Sequence, residues 1–249
     1  MANNKALGQH WLKNRAILEE IARLAGDGEV CLEIGPGLGT LTSSLLKRFD
    51  KVVAVEYDAE LARKLPASFP GKNLEVINED ILKFDFSSLP EGYVACGNIP
   101  YYITSPIIER LLTVERLPAR IVLLMQKEVV KRITSEKESV LSLLVKNRAT
   151  AELGPVVKAE EFTPPPKVDS QVLILTPFAG GAKFGDEVFK LIKVGFLAPR
   201  KKLIHNLAGV ASKDDLMEIF GELGIGLDVR PADLSLDEWH NIYDKIYNK

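Results

Sequence analysis

The chain has 249 residues, of which 46% are hydrophobic and 27% charged, with a formal charge of −2 at neutral pH. That length holds one large domain or a main domain with a small appendage, and the composition excludes a disordered or fibrous protein. No apolar run approaches bilayer length, and Met1 to Leu7 lack the apolar core of a signal peptide, so a soluble, cytoplasmic protein without membrane contact is expected.

Cys31 and Cys96 both fall in apolar, strand-like runs and read as reduced core thiols. His10, His205 and His240 are scattered and show no zinc-ligand spacing, so no metal is expected. The near-neutral balance gives no global sign of nucleic-acid binding, yet it leaves room for a local basic face.

In chain order, Asn14 is placed to cap a helix with Ile17, Leu18, Ile21 and Leu24 on one stripe. Trp11, just before it, reads either as a core anchor or as part of a lid over a ligand. Val30 to Ile34 form an apolar strand running into Gly35, Pro36, Gly37, Leu38, Gly39 and Thr40, whose hydroxyl is expected to cap the next helix. Glycines at such a turn let the backbone approach a ligand closely. A second strand, Lys51 to Val55, ends in Glu56, about 20 residues after the first glycine, the spacing at which a carboxylate reaches a ribose diol. The glycines follow G-x-G-x-G and not the dinucleotide pattern, which favours a nucleoside without a pyrophosphate, a description that S-adenosylmethionine fits.

A third strand, Leu74 to Ile77, leads to Asp80 and Ile81. Asp80 reads equally well as an acceptor for an adenine amine, with Ile81 against the ring, or as an ordinary acidic loop. A fourth strand, Tyr93 to Cys96, delivers Asn98, Ile99, Pro100, Tyr101 and Tyr102 at its carboxyl end, where open α/β sheets bind ligands. Taken alone that stretch is a turn. Thr104 or Ser105 is expected to cap a helix carrying Ile107, Ile108, Leu111 and Leu112. A fifth strand, Ile121 to Met125, precedes helical segments at Val129 to Ile133 and Val140 to Val145. A proline-stiffened connection from Phe162 to Ser170 then leads to a last strand, Val172 to Leu175. The alternation predicts an α/β fold with a doubly wound, mostly parallel sheet over residues 1–178.

Beyond Pro177 to Gly185 the periodicity becomes purely helical, and Ser235 with Glu238 forms a capping box before Trp239, Ile242, Tyr243 and Ile246. Residues 184–249 are therefore expected to form a small all-helical domain. Arg200, Lys201 and Lys202 stand together at a turn within it. Such a triplet is either a solvated face or a contact for a phosphate backbone.

Together these residues resemble the ribosomal RNA adenine dimethyltransferases of the KsgA type. The likeness is carried by Leu7, Gly8 and Gln9; Glu33 to Gly39; Glu56; the Asp80 loop; Asn98 to Tyr101; Phe162 with Pro164, Pro166, Val168 and Ser170; and Arg200, Lys201, Leu203 and Asn206. The resemblance implies an enzyme moving methyl groups from S-adenosylmethionine onto the exocyclic amines of two adjacent adenosines near the 3′ end of small-subunit ribosomal RNA. It implies catalytic roles for Asn98, Ile99, Pro100 and Tyr101, and cofactor contacts at His10, Leu12, Gly35, Glu56, Asp80 and Asn98, to which the glycine loop and the Asp80 loop add Gly37 and Ile81. RNA contacts would come from Arg200, Lys201 and Lys202, and the implied partner is the immature small subunit, bound by a monomer. Where the family usually has asparagine and phenylalanine, this chain has His10 and Trp11, which leaves open a side-chain or a backbone contact from His10. Two rival readings are a large-subunit enzyme of the antibiotic-resistance (Erm) type and a mainly non-catalytic assembly checkpoint factor.

Overall fold

The computed structural model describes residues 10–248, so Leu7, Gly8 and Gln9 lie outside the described residues. The backbone divides into two compact units, one running to Val130 and including Thr150–Pro177, the other comprising Lys131–Ala149 and the chain from Phe178 onward.

The first unit opens with β1 (Trp11–Leu12) and α1 (Arg15–Ala25). The Asn14 side chain accepts from the amides of Ala16 and Ile17, as its position before the apolar stripe predicts, and Leu18, Ile21, Ala22 and Ala25 face inward. Such a cap contributes about 1 kcal/mol. There follow β2 (Gly28–Ile34), α2 (Thr42–Leu45), β3 (Phe49–Glu56), α3 (Ala59–Lys64), β4 (Leu74–Asn78), β5 (Val94–Asn98), α4 (Thr104–Thr113) and β6 (Arg120–Gln126). After α5 (Lys127–Thr134) and α6 (Val140–Arg148) come β7 (Ala149–Val157), β8 (Phe162–Thr163) and β9 (Ser170–Pro177).

Seven strands form one sheet in the order β4-β3-β2-β5-β6-β9-β7. The first five are mutually parallel and β9 runs antiparallel to β6. Strand order reverses between β2 and β5, and in open sheets the crevice for a ligand lies at the carboxyl ends beside such a switch point. The glycine loop follows β2, and β5 ends in Asn98. Both therefore open onto that crevice. A separate pair, β1 with β8, is antiparallel, with Trp11 opposite Thr163 and Leu12 opposite Phe162.

Three local expectations need correction. Thr40 does not cap α2, which starts two residues later behind Leu41 with no side-chain cap. Neither Thr104 nor Ser105 caps α4, whose cap position is Ile103; the Thr104 hydroxyl instead donates back to the Tyr101 carbonyl at 3.2 Å. The third concerns the domain boundary.

The second unit is not residues 184–249 alone, because Lys131–Ala149 joins it. In α6, Leu143 and Leu144 belong to the core that also buries Phe189, Ile192, Phe220 and Trp239. Buried Asn147 accepts from the Phe184 amide at 2.8 Å and donates to the Phe184 carbonyl at 3.0 Å, while the Phe178 amide donates to the Arg148 carbonyl at 2.9 Å. The remaining helices of this unit are α7 (Asp186–Gly195), α8 (Leu203–Asn206), α9 (Lys213–Glu222) and α10 (Leu236–Tyr247), the last opened by the Ser235–Glu238 capping box. Among the described residues no helix is long and apolar enough to cross a membrane.

Candidate functional site

The carboxyl ends of β2, β3 and β5 surround a cavity of about 380 Å³, within the size range of small-ligand sites. It brings together His10, Leu12, Gly35, Gly37, Glu56, Asp80, Ile81, Asn98, Ile99, Pro100 and Tyr101. Arg200, Lys201 and Lys202 are not among its lining residues; they lie in the helical unit, exposed, with Lys202 paired to Asp228.

The glycine loop is held from two sides. The Gly35 amide donates to the Val55 carbonyl at 2.9 Å, and the Gly37 amide to Glu56 Oε2 at 2.9 Å. Gly37 has φ of +58°, and a Cβ there would stand 3.3 Å from the Trp11 indole nitrogen, so both backbone conformation and space favour glycine. The other Glu56 oxygen accepts from the Asp58 amide at 2.9 Å. Burial raises the Glu56 carboxyl above its ordinary range, and the two backbone amides oppose that rise. Asn78 supports the same corner by donating to the Glu56 carbonyl at 2.8 Å. Asp80 accepts from the Leu82 amide at 3.0 Å, which turns its loop toward the cavity wall.

Opposite lies the stretch that ends β5. Asn98 Nδ2 donates to the His10 carbonyl at 3.0 Å, which leaves Oδ1 as an acceptor with no protein partner among the described residues. Ile99 is buried, its amide donating to the Leu124 carbonyl at 3.2 Å. The Tyr101 and Ser170 hydroxyls are 2.8 Å apart, which tethers the ring, and burial raises the phenol above its usual range.

The segment from His10 to Asn14 forms a strap along this wall. His10 Nδ1 lies 2.8 Å from the Pro164 carbonyl, an acceptor only, so Nδ1 carries the proton and in the neutral ring Nε2 is an acceptor. The imidazole stacks on Tyr101 with centroids 5.9 Å apart. Downstream, the Lys13 amide donates to the Glu161 carbonyl at 3.2 Å and Asn14 Nδ2 to Glu161 Oε2 at 3.0 Å. Trp11, between them, both pairs with β8 and lines the cavity.

Sequence reasoning assigned no role to several lining or supporting residues. Glu33 is fully buried in β2, lines the cavity and accepts from the Thr42 hydroxyl at 2.6 Å. Its signal was a lone charge inside the apolar run Val30 to Ile34. Ser170 and Pro164 carry part of the family likeness, and their contacts with Tyr101 and His10 show what they support. Among the described residues the lining carries four carboxylic residues, Glu33, Glu56, Glu79 and Asp80, and no lysine or arginine. Gly35 and Gly37 beside a carboxylate-rich, partly apolar cavity suit a nucleoside that bears positive charge. Among the described residues no group of side chains is placed to hold a metal ion.

Comparison with known proteins agrees with this geometry. A family model described as ribosomal RNA adenine dimethylase matches residues 1–248. A ribosomal RNA small subunit methyltransferase A from Acaryochloris marina is 38% identical over 263 positions, covering 98% of this chain and 97% of its own. The protein of the same name from Gloeobacter violaceus is 39% identical, covering 97% and 93%. Among solved structures, a dimethyladenosine transferase from Plasmodium falciparum superposes with a TM-score of 0.78 at 28% identity, covering 94% of this chain and 96% of that one. The 23S rRNA methyltransferase ErmE gives 0.75 at 25% identity, covering 95% and 99%. With its glycine loop, acidic strand ends and Asn98–Tyr101 corner gathered in one cavity, and a family match spanning residues 1–248, the chain belongs to the ribosomal RNA adenine dimethylase family.

Proposed function

We propose that this enzyme transfers methyl groups from S-adenosylmethionine to the exocyclic amines of two adjacent adenosines near the 3′ end of small-subunit ribosomal RNA, giving dimethyladenosines, and that it meets this RNA in the immature small subunit. The single observation that carries the reading is the convergence of the glycine loop, Glu56 and Asp80 on one side of the cavity with Asn98 to Tyr101 on the other. Full-length relatives named small subunit methyltransferase A support the choice of RNA.

S-adenosylmethionine would supply a methyl group on a sulfonium: as the N–C bond forms the C–S bond breaks, the neutral thioether leaves, and the methylated nitrogen loses a proton to solvent. The chain's task is therefore alignment and charge placement. Gly35 and Gly37 let the backbone close on the nucleoside, Glu56 takes the ribose hydroxyls, and Asp80 with Ile81 takes the adenine. His10 and Leu12 close the strap over it. The acceptor adenine enters extruded from its helix, because its amine is otherwise inaccessible. Its lone pair is delocalised into the ring and makes a poor nucleophile. The free Asn98 Oδ1 and the Ile99 carbonyl accept the two amine hydrogens and draw nitrogen toward a tetrahedral form. Pro100 fixes the corner. The tethered Tyr101 ring gives the base a stacking face, an interaction of about 1–3 kcal/mol.

Mapping methyl-labelled nucleotides after incubation with small and large subunits from an unmethylated source tests the proposal. Label on two adjacent small-subunit adenosines is expected. Label confined to the large subunit would replace it with the ErmE-like reading, to which the fold is also close. Asn98→Ala is expected to abolish transfer while cofactor binding persists; near-normal turnover would overturn the role of Asn98. An inactive Asn98 variant that still binds immature subunits would separate catalysis from a checkpoint role.

A further inference from the structure

Glu33 is absent from the mechanism above, although it is the most deeply buried carboxyl lining the cavity. On β2 it sits opposite Cys96 of β5, and Asn98 is two residues further along that neighbouring strand. Two strand residues span roughly 6–7 Å and adjacent strands are about 4.8 Å apart, which puts Glu33 within roughly 8 Å of the backbone that presents Asn98. Transfer to a substrate held by Asn98 requires the sulfonium to stand at that same end of the cavity.

Among the described residues the surroundings of Glu33 contain no counter-charge. Along its own strand is Cys31; on β5 is Cys96; on β3 are Ala54 in register and Glu56 at the strand end; from α2 comes only the Thr42 hydroxyl. The remaining titratable residues lining the cavity are Glu79, Asp80, His10 and the two tyrosines, Tyr57 and Tyr101, with Tyr102 at the rim. Both thiols are pushed up by burial and by Glu33 itself, so they are neutral. The Thr42 hydroxyl donates to the carboxyl at 2.6 Å, which favours its anion and opposes the effect of burial.

We propose that Glu33, held by Thr42, is the residue by which the cavity distinguishes the cationic methyl donor from its neutral thioether product. Its carboxyl carries a proton in the empty cavity, gives that proton to solvent when the sulfonium arrives, and takes one back from solvent once transfer has removed the positive charge. The donor thus gains a buried counter-ion that the product lacks, and product release is favoured. Burial, which raises Glu33 to about 8, sets the pH range in which this exchange operates. The inference rests on the cofactor assignment made above.

Isothermal titration of S-adenosylmethionine and of S-adenosylhomocysteine into the full chain near neutral pH, in two buffers of different ionisation enthalpy, counts the protons released. Donor binding is expected to release most of one proton more than product binding. Glu33→Gln should abolish that difference and narrow the donor-over-product affinity ratio by about tenfold, as linkage requires of a group that gives up most of one proton near neutral pH. Thr42→Val removes the hydroxyl that favours the anion, so proton release should reach its midpoint at higher pH; this variant keeps the idea testable if Glu33→Gln does not fold. Equal proton counts for the two ligands in the wild type would overturn the proposal, as would an unchanged affinity ratio in a folded Glu33→Gln protein. If neither ligand binds, the cofactor assignment fails and this inference with it.

Discussion

Gly97→Ala perturbs both sides of the cavity through a single atom. Gly97 pairs with Ile34 of β2 on one side and Leu123 of β6 on the other, and a Cβ added to it would stand 2.6 Å from the Ile34 carbonyl oxygen and 3.2 Å from the Ile34 Cβ. The obstacle is backbone in the middle of a parallel sheet, so no rotamer change relieves it. The strands must part. Overpacking of this kind costs about 1–3 kcal/mol. At about 2–4 °C per kcal/mol for a chain of this size, Tm should fall by roughly 2–12 °C. Activity should fall further than stability does. Ile34 leads directly into Gly35, and Gly97 directly into Asn98, so the displacement reaches the glycine loop and the acceptor corner together. A shift of about 1 Å between reacting groups costs on the order of 100-fold in rate. Calorimetry and single-turnover methyl transfer measure the two effects, with Gly180→Ala as a control because a Cβ there meets nothing within 4 Å. A Gly97→Ala protein that melts and turns over like the wild type would refute the claim that β2 and β5 position the site.

Glu33 also makes a prediction about stability in the absence of ligand. Its folded value of about 8 lies above the ordinary 4.5, so the folded state holds the extra proton and this group's contribution to stability falls as pH rises from about 4.5 to about 8. The span corresponds to roughly 5 kcal/mol at most, and Glu33→Gln should flatten that part of the profile in urea unfolding at pH 6 and pH 8.5; identical slopes for both proteins would count against it. Asn147→Ala strands the Phe184 amide and carbonyl and should lower stability by about 1–3 kcal/mol, whereas an unchanged melt would mean that α6 does not depend on that bond pair to join the helical unit. If the proposed RNA contact holds, neutralising the exposed Arg200 and Lys201 should weaken RNA binding and reduce the salt slope by about 1 for each phosphate that is no longer neutralised. Equal affinity at several salt concentrations would remove them from the interface.

The parallel half of the sheet was legible because its strands are buried on both faces and read as continuous apolar runs. The edge was not. In β7 only Ala149 and Val157 are buried, and Gly154 and Pro155 sit inside the strand, so neither alternation nor an apolar run announces it. A proline and glycine run marks the crossing of the chain at Pro177, whereas none marks the exit at Lys131 or the return at Thr150. What assigns α6 to the helical unit is the side of Leu143, Leu144 and Asn147 that finds partners 40 residues and more away or at Phe184, and periodicity within α6 carries no trace of which partner it meets. β1 and β8, at two residues each, are too short for any pattern.

The candidate site divides along the same line. Gly35, Gly37 and Glu56 act through neighbours that a strand–loop–helix unit supplies locally, so spacing alone points to them. Asn98 is different. An asparagine before Ile99 and Pro100 is read as a turn or as an acceptor according to which end of its amide faces the cavity, and nothing within the stretch decides that. The decision comes from 88 residues upstream, where the His10 carbonyl takes the amide NH₂ and leaves the oxygen as the unclaimed end among the described residues. His10 is in turn held by the Pro164 carbonyl, and the neighbouring strap by Glu161 and β8. The strap that lines the cavity thus also holds the Asn98 amide, and under the proposed roles of the two, loosening it at Asn14 or Glu161 should disturb methyl transfer as well as donor affinity.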